Sequence, residues 1–139
     1  MAILTKRIKV NTKGDTDIVD ITQAVASQVE KSGLRDGTVT AFIPGSTAGL
    51  TTIEYESGLI KDVQRLFGEL ASKKRDYLHN LRWHDGNGYS HVRAALLGPS
   101  LTVPFVDKTL QLGTWQQIVL IDFDNRPRSR EIVLQIIGE

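Results

Sequence analysis

The chain has 139 residues, of which 40% are hydrophobic and 24% charged, so it holds one globular domain and is not disordered as a whole. Seventeen Lys and Arg against sixteen Asp and Glu leave a formal net charge of +1, too little for a general polyanion-binding field. The absence of cysteine excludes disulfides, thiolate zinc sites, iron–sulfur clusters and a cysteine nucleophile.

In chain order, residues 6–10 predict a strand with Ile8 and Val10 on one face. Residues 11–15 carry turn chemistry. A helix follows from Asp20, which stands as its cap with Gln23 in the capping-box position. Ile21, Ala24, Val25 and Val29 form its stripe, and Ser32-Gly33 end it. Residues 38–43 are a β-branched run that predicts a buried strand. Pro44-Gly45-Ser46-Thr47-Ala48-Gly49 form a small-residue loop, and residues 50–55 resume extended structure. A second helix fits residues 57–70, with Leu59, Ile60, Val63, Leu66, Phe67 and Leu70 at helical spacing. Residues 77–91 show weak periodicity and predict a long loop, functional or partly disordered.

The last third predicts sheet. Residues 101–103 run into Pro104, which marks an edge or a bulge. Residues 109–112 alternate. Residues 118–123 and 131–137 are strand-like, and the polar connection between them predicts an antiparallel hairpin. The expected fold is α+β, a single domain over 1–139 with two helices packed on mostly antiparallel β-sheets. No apolar run approaches the ~20 residues of a membrane span. Charges interleave with the first apolar residues, so a cytoplasmic protein without a secretory leader is expected. No basic stripe with interleaved aromatics points to nucleic acid.

Three groups of residues are candidates for chemistry. His79, His84, His91 and Asp85 fall within residues 79–91, where imidazoles serve as metal ligands or as acid and base. Backbone-bonded loop histidines are the alternative. Ser46 and Thr47 sit in a bend able to act as an anion nest or as a plain strand-exit turn. Gln116 stands at the mouth of an apolar strand, where its amide orients a substrate or pairs with main chain. Its neighbour Trp115 suggests core or interface packing. Glu54 follows the small-residue loop as a general base or metal ligand. Asp62 reads as a solvated helix charge paired with Arg65 or Lys61. Arg126, Arg128 and Arg130 have the forks to grip phosphate, with a polar hairpin tip as the preferred, plainer reading.

Gly45-Ser46-Thr47-Ala48-Gly49-Leu50-Thr51-Thr52-Ile53-Glu54, Asp62, Tyr77-Leu78-His79 and Asp85-Gly86-Asn87-Gly88-Tyr89-Ser90-His91 occur in an order that resembles the YjbQ-like family. Residues 96–104, Gly113-Thr114-Trp115-Gln116 and the closing Gly138-Glu139 continue the resemblance along nearly the whole chain. It implies a homotrimer of α+β subunits. It also implies thiamine-phosphate synthase activity, joining a pyrimidine diphosphate to a thiazole phosphate, or else a non-catalytic trimeric anion-binding protein. Under the enzyme reading His79, His91, Glu54 and Gln116 are catalytic. Ser46, Thr47, Asp85 and Asn87 bind substrate, and His79 and His91 hold a divalent metal, zinc or magnesium. The chain departs from the family pattern where Gly45 replaces a histidine, Ile53 an asparagine and Tyr89 a frequent histidine. Its Pro-Gly-Ser-Thr-Ala segment resembles an archaeal-type branch, and the lack of cysteine agrees with a thermophilic source.

Overall fold

The computed structural model describes residues 1–139. Strand β1 (Ala2–Thr12) is followed by β2 (Asp17–Asp20), α1 (Thr22–Lys31), β3 (Gly37–Phe42) and β4 (Ala48–Ile53). Then come α2 (Ser57–Leu70), α3 (Leu78–Trp83), α4 (Gly88–Leu97), β5 (Ser100–Val106), β6 (Thr109–Leu110), β7 (Gln117–Asp122) and β8 (Arg128–Gly138). The strands form two sheets, ordered β1-β8-β3-β5-β6 and β2-β7-β4, with every pairing antiparallel.

The sheets face each other across the main core. Ile8, Val39, Val103, Phe105, Ile132, Leu134 and Ile136 from the larger sheet meet Leu50, Ile118 and Leu120 from the smaller, with Ile21, Val25 and Val29 of α1 at the side. The opposite face of the smaller sheet presents Ile18, Val119, Ile121 and, just beyond β7, Phe123. Phe67 of α2 and Ala94 of α4 cover it. Strand β7 is therefore buried on both faces, which accounts for its unbroken apolar run.

Helix α2 spans the expected residues. The Glu56 side chain caps it by accepting from the N–H groups of Gly58 (2.5 Å) and Leu59 (3.0 Å), and these bonds hold its carboxyl below the usual range. Helix α1 starts later than its capping box suggests. The Asp20 carboxylate accepts from the backbone N–H and hydroxyl of Thr22, forming a local turn that leaves Gln23 outside the cap. Pro104 lies in β5 opposite Thr38, and β6 pairs only with Phe105 and Val106. The Pro104 carbonyl accepts from Gln111 N–H (2.9 Å), so its missing N–H faces the β6 side and costs the β3 ladder nothing.

Two expectations are corrected. Residues 77–91 hold α3 and the start of α4, so the molecule has four helices. Their signal was weak because the buried face of α4 is Gly88, Tyr89, Ser90, Arg93 and Ala94, too polar for an apolar stripe. Strands β7 and β8 do not form a hairpin. Strand β8 has β1 on one side and β3 on the other, which leaves no free edge for β7. The connection instead carries the chain from one sheet to the other. No helix is long and apolar enough to cross a membrane.

Candidate functional site

The connection after β7 brings Asp122 and Asp124 into full burial. Strand β8 returns with Arg128 and Arg130 on the same face, since side chains two apart share a face of a strand. Arg130 grips Asp122 with two bonds, Nε to Oδ2 (2.8 Å) and Nη2 to Oδ1 (2.9 Å). Arg128 Nη2 lies 3.0 Å from Asp124 Oδ2. Thr12 at the end of β1 donates to Asp122 Oδ2 (2.6 Å). Thr47 donates to Asp124 Oδ2 (2.8 Å) and accepts from Arg130 Nη2 (2.7 Å). Burial opposes the charge on Asp124, but the bonds from Thr47, Arg128 and Asn87 and the charge of Arg128 outweigh it and hold the carboxyl below its usual range. The bond to Asp122 raises the pKa of Arg130, which keeps that member of the Asp122–Asp124–Arg128–Arg130 quartet charged.

Two helices carry the imidazoles to this cluster. Gly88 N–H donates to Asn80 Oδ1 (2.9 Å), and a Cβ on Gly88 would lie 2.6 Å from the Tyr77 Cβ. That close approach seats α3 against the start of α4. The rings of His79 and His91 then stack at 4.3 Å between centroids with 39° between planes. Asp85 Oδ1 lies 3.7 Å from His79 Nδ1. Burial and the neighbouring His79 push the His91 pKa below the ordinary imidazole range, against the pull of Asp85, Asp124 and the Ser46 carbonyl. Ser90, one residue before His91, donates to the Phe123 carbonyl (2.6 Å) and ties α4 to the connection.

Beside the rings lies a hollow of about 250 Å³ lined by Gly45, Ser46, Ala48, His91, Ala94, Ala95 and Pro99. The buried side-chain polar atoms without a hydrogen-bond partner are His79 Nδ1, Asp124 Oδ1 and Arg128 Nε. All three belong to this cluster, and orphaned polar groups of that kind gather where a molecule trades stability for function.

The structure thus joins His79, His91, Asp85 and Ser46 in one place. Thr47 and Asn87 are also present, but both are buried and act from behind, bonded to Asp124. Gln116 is elsewhere. Its amide donates to Thr52 Oγ1 (3.1 Å) and accepts from the Gly113 N–H (3.0 Å). It lines a second hollow of about 340 Å³ with Leu50, Thr52, Leu97, Ser100 and Leu101. A bond from Leu50 N–H to the Gly98 carbonyl (3.1 Å) closes the chain between the two hollows. Glu54 is exposed beyond the end of β4, and His84 is the exposed left-handed residue that ends α3. Trp115 is 73% exposed on the protomer, which overturns the core half of its expectation and leaves the interface half. Asp62 pairs with Arg65 (3.3 Å) as expected.

The residues do not fit a divalent metal. The two rings lie tilted at 39° to each other, and no third His, Asp or Glu joins them in a set able to hold an ion. Sequence reasoning missed Asp122, Asp124, Thr12 and Ser90, and it set a phosphate-gripping role for Arg128 and Arg130 behind the hairpin-tip reading. The signal was present as Asp-x-Asp closing an apolar run and Arg-x-Arg opening the next, each pair on one face by strand periodicity. Reading the arginines as a hairpin tip hid it.

The UPF0047 protein YjbQ-like family model matches residues 6–139. A UPF0047 protein of Methanothermobacter thermautotrophicus is 34% identical over 139 residues, covering 100% of this chain and 95% of that one. The UPF0047 protein YugU of Bacillus subtilis is 30% identical over 135 residues, 96% of this chain and 98% of its own. Among solved structures, a YbjQ-like protein of unknown function from Sulfolobus solfataricus P2 superposes with a TM-score of 0.94 at 35% identity, covering 99% of both chains. Motif order, architecture and these full-length matches agree, and the chain belongs to the YjbQ-like UPF0047 family.

Proposed function

We propose that the hollow beside Gly45, Ser46 and His91 receives the phosphoryl group of a phosphorylated small molecule, with the His79–His91 pair supplying acid–base chemistry beside it. One observation carries this reading. The N–H groups of Gly45, Ser46 and Thr47 find no acceptor within the chain, and successive backbone donors in a bend form a nest for an anion. His91 shares the same hollow. Its lowered pKa keeps the ring neutral near pH 7, the form that accepts a proton.

The motif resemblance supports alkyl transfer of the thiamine-phosphate synthase type as the reaction. The pyrimidine's methylene carbon breaks its bond to a diphosphate oxygen and bonds the lone pair of the thiazole nitrogen; diphosphate departs with the bonding electrons, and neutral His91 takes a proton from solvent and passes it to the leaving oxygen. The nest supplies the donors that such a departing charge needs. The assay follows diphosphate release from the two substrates by purified protein. His91→Asn should lower the rate by roughly 100-fold or more, the usual contribution of a positioned acid or base. Turnover unchanged in that variant removes the role of His91. Phosphate binding without turnover makes the protein a non-catalytic anion binder instead.

The proposed setting is a cytoplasmic homotrimer. Leu78, Leu81, Trp83, Leu96 and Trp115 are large apolar side chains exposed on the protomer, a feature that supports contact with further copies. Sedimentation should give three times the 15.4 kDa protomer mass. A monomer at micromolar concentration would refute the assembly.

A further inference from the structure

Arg130 uses only part of its guanidinium within the chain. Nε and Nη2 bond Asp122, and Nη2 also bonds Thr47. Nη1 takes part in none of these bonds. The side chain is 10% exposed, so the way from Nη1 to solvent is narrow. A Cβ placed on Gly45 would lie 3.1 Å from Nη1, which puts that free edge directly behind the loop. Gly45 has φ +130°, a conformation that L side chains rarely adopt. The loop backbone thus favours the one residue that leaves the guanidinium uncovered.

We propose that Arg130 Nη1 is the anchor of the bound phosphoryl group and that Gly45 is the opening through which the group reaches it. The inference rests on the phosphoryl reading above and adds a charged donor to it. Asp122 holds two nitrogens of the planar fork and so fixes the direction of the third. An oxyanion in front of Gly45 then meets Nη1 together with the N–H groups of the loop. The selectivity that follows is for a tetrahedral, multiply charged oxyanion over a neutral ligand of equal size. The two carboxylates of the quartet already balance its two arginines, so only a ligand able to accept several directed bonds gains by entering.

The test is titration of the full-length protein with inorganic phosphate, read by calorimetry, for wild type, Arg130→Lys and Gly45→Ala. Lysine keeps a cation beside Asp122 but lacks the fork. Alanine leaves Arg130 intact and puts a methyl group in its path. Each variant should bind phosphate about 10-fold or more weakly, as expected for loss of a charge-assisted hydrogen bond. Arginine side-chain NMR of wild type is the companion measurement and needs no variant to fold. Phosphate should shift the Nη signals of Arg130 and leave those of Arg7, on the surface of β1, in place. Phosphate binding with unmoved Arg130 signals, or wild-type affinity in both variants, overturns the anchor while the phosphoryl reading stands. Absence of phosphate binding to wild type overturns the reading itself.

Discussion

Replacing Asp122 by Asn isolates the two-bond pair of Arg130 and Asp122. Asp122 is fully buried and accepts from Arg130 Nε (2.8 Å) and Nη2 (2.9 Å), Thr12 Oγ1 (2.6 Å) and Asp124 N–H (3.1 Å). Asparagine keeps the shape, removes the charge and turns one acceptor into a donor that faces other donors. Arg130 is then a buried cation without its partner, a loss that costs about 3–5 kcal/mol. That is a third or more of the stability of a domain at the lower end of the usual range, ~5–15 kcal/mol. With a urea slope of about 2 kcal/mol/M, the unfolding midpoint should fall by about 1.5–2.5 M at fixed protein concentration. Adding Arg130→Met removes the stranded cation, so the double variant should be more stable than Asp122→Asn alone by about 1 kcal/mol or more. A single-variant shift below about 0.5 M urea, or a double variant equal to the sum of the two singles, would refute the argument.

Two further outcomes concern the imidazoles. The folded pKa of His91 lies below its unfolded value of about 6.5, so the unfolded chain binds the extra proton first. Its contribution to stability is full above pH ~6.5 and is lost as pH falls through the folded pKa. Melting temperature should therefore drop more steeply below pH 6.5 in wild type than in His91→Asn, and parallel curves would contradict the shift. Gly88→Ala places a methyl group against Tyr77 and should push α3 away from α4, at a cost of about 1–3 kcal/mol. Imidazole NMR should show His79 and His91 no longer perturbing each other, and unchanged ring shifts would remove the close approach as the cause of the stack.

The parts of the fold open to reading were those in which one physical rule acts alone. Helix α2 combines an apolar stripe with a clear start, so its bounds follow from periodicity. Strand β7 is apolar throughout because both of its faces are buried, and its run is visible without any tertiary knowledge. The connection 123–127 shows the limit. Polar residues suit a hairpin turn and a crossing between sheets equally well, and only the pairing of β8 with β1 and β3 decides between them. Helix α4 escaped because it buries Ser90 and Arg93, which hydrogen bonds make tolerable and hydropathy does not reveal. At the site, His79, His91 and Ser46 were suggested by residue type. Gln116 was grouped with them by motif order, but the Leu50–Gly98 bond seats it in a different hollow.

The site stands where it does because three crossings between the sheets converge. Residues 13–16 lead from β1 to β2, residues 43–47 from β3 to β4, and residues 123–127 from β7 to β8. They are bonded to one another, Asp15 N–H to the Asp124 carbonyl (2.7 Å) and Phe123 N–H to the Thr47 carbonyl (2.9 Å). Backbone groups in such crossings lie outside the sheet ladders and must be answered by side chains, solvent or a ligand. A matched pair on one strand tests that account. Thr12 and Thr5 both lie in β1, and each donates a hydrogen bond of 2.6 Å to a side chain. Exposed Thr5 meets half-buried Gln135, where water replaces what is lost. Thr12 meets buried Asp122 at the convergence, where water does not. Thr12→Val should cost ~1.5–3 kcal/mol, the usual worth of a hydrogen bond to a charged group, since Asp122 Oδ2 then keeps only its bond from Arg130 Nε. Thr5→Val should stay within about 0.5 kcal/mol of wild type. Chemical denaturation of the two variants decides the matter, because equal losses would mean that the convergence of crossings adds nothing to an ordinary strand hydrogen bond.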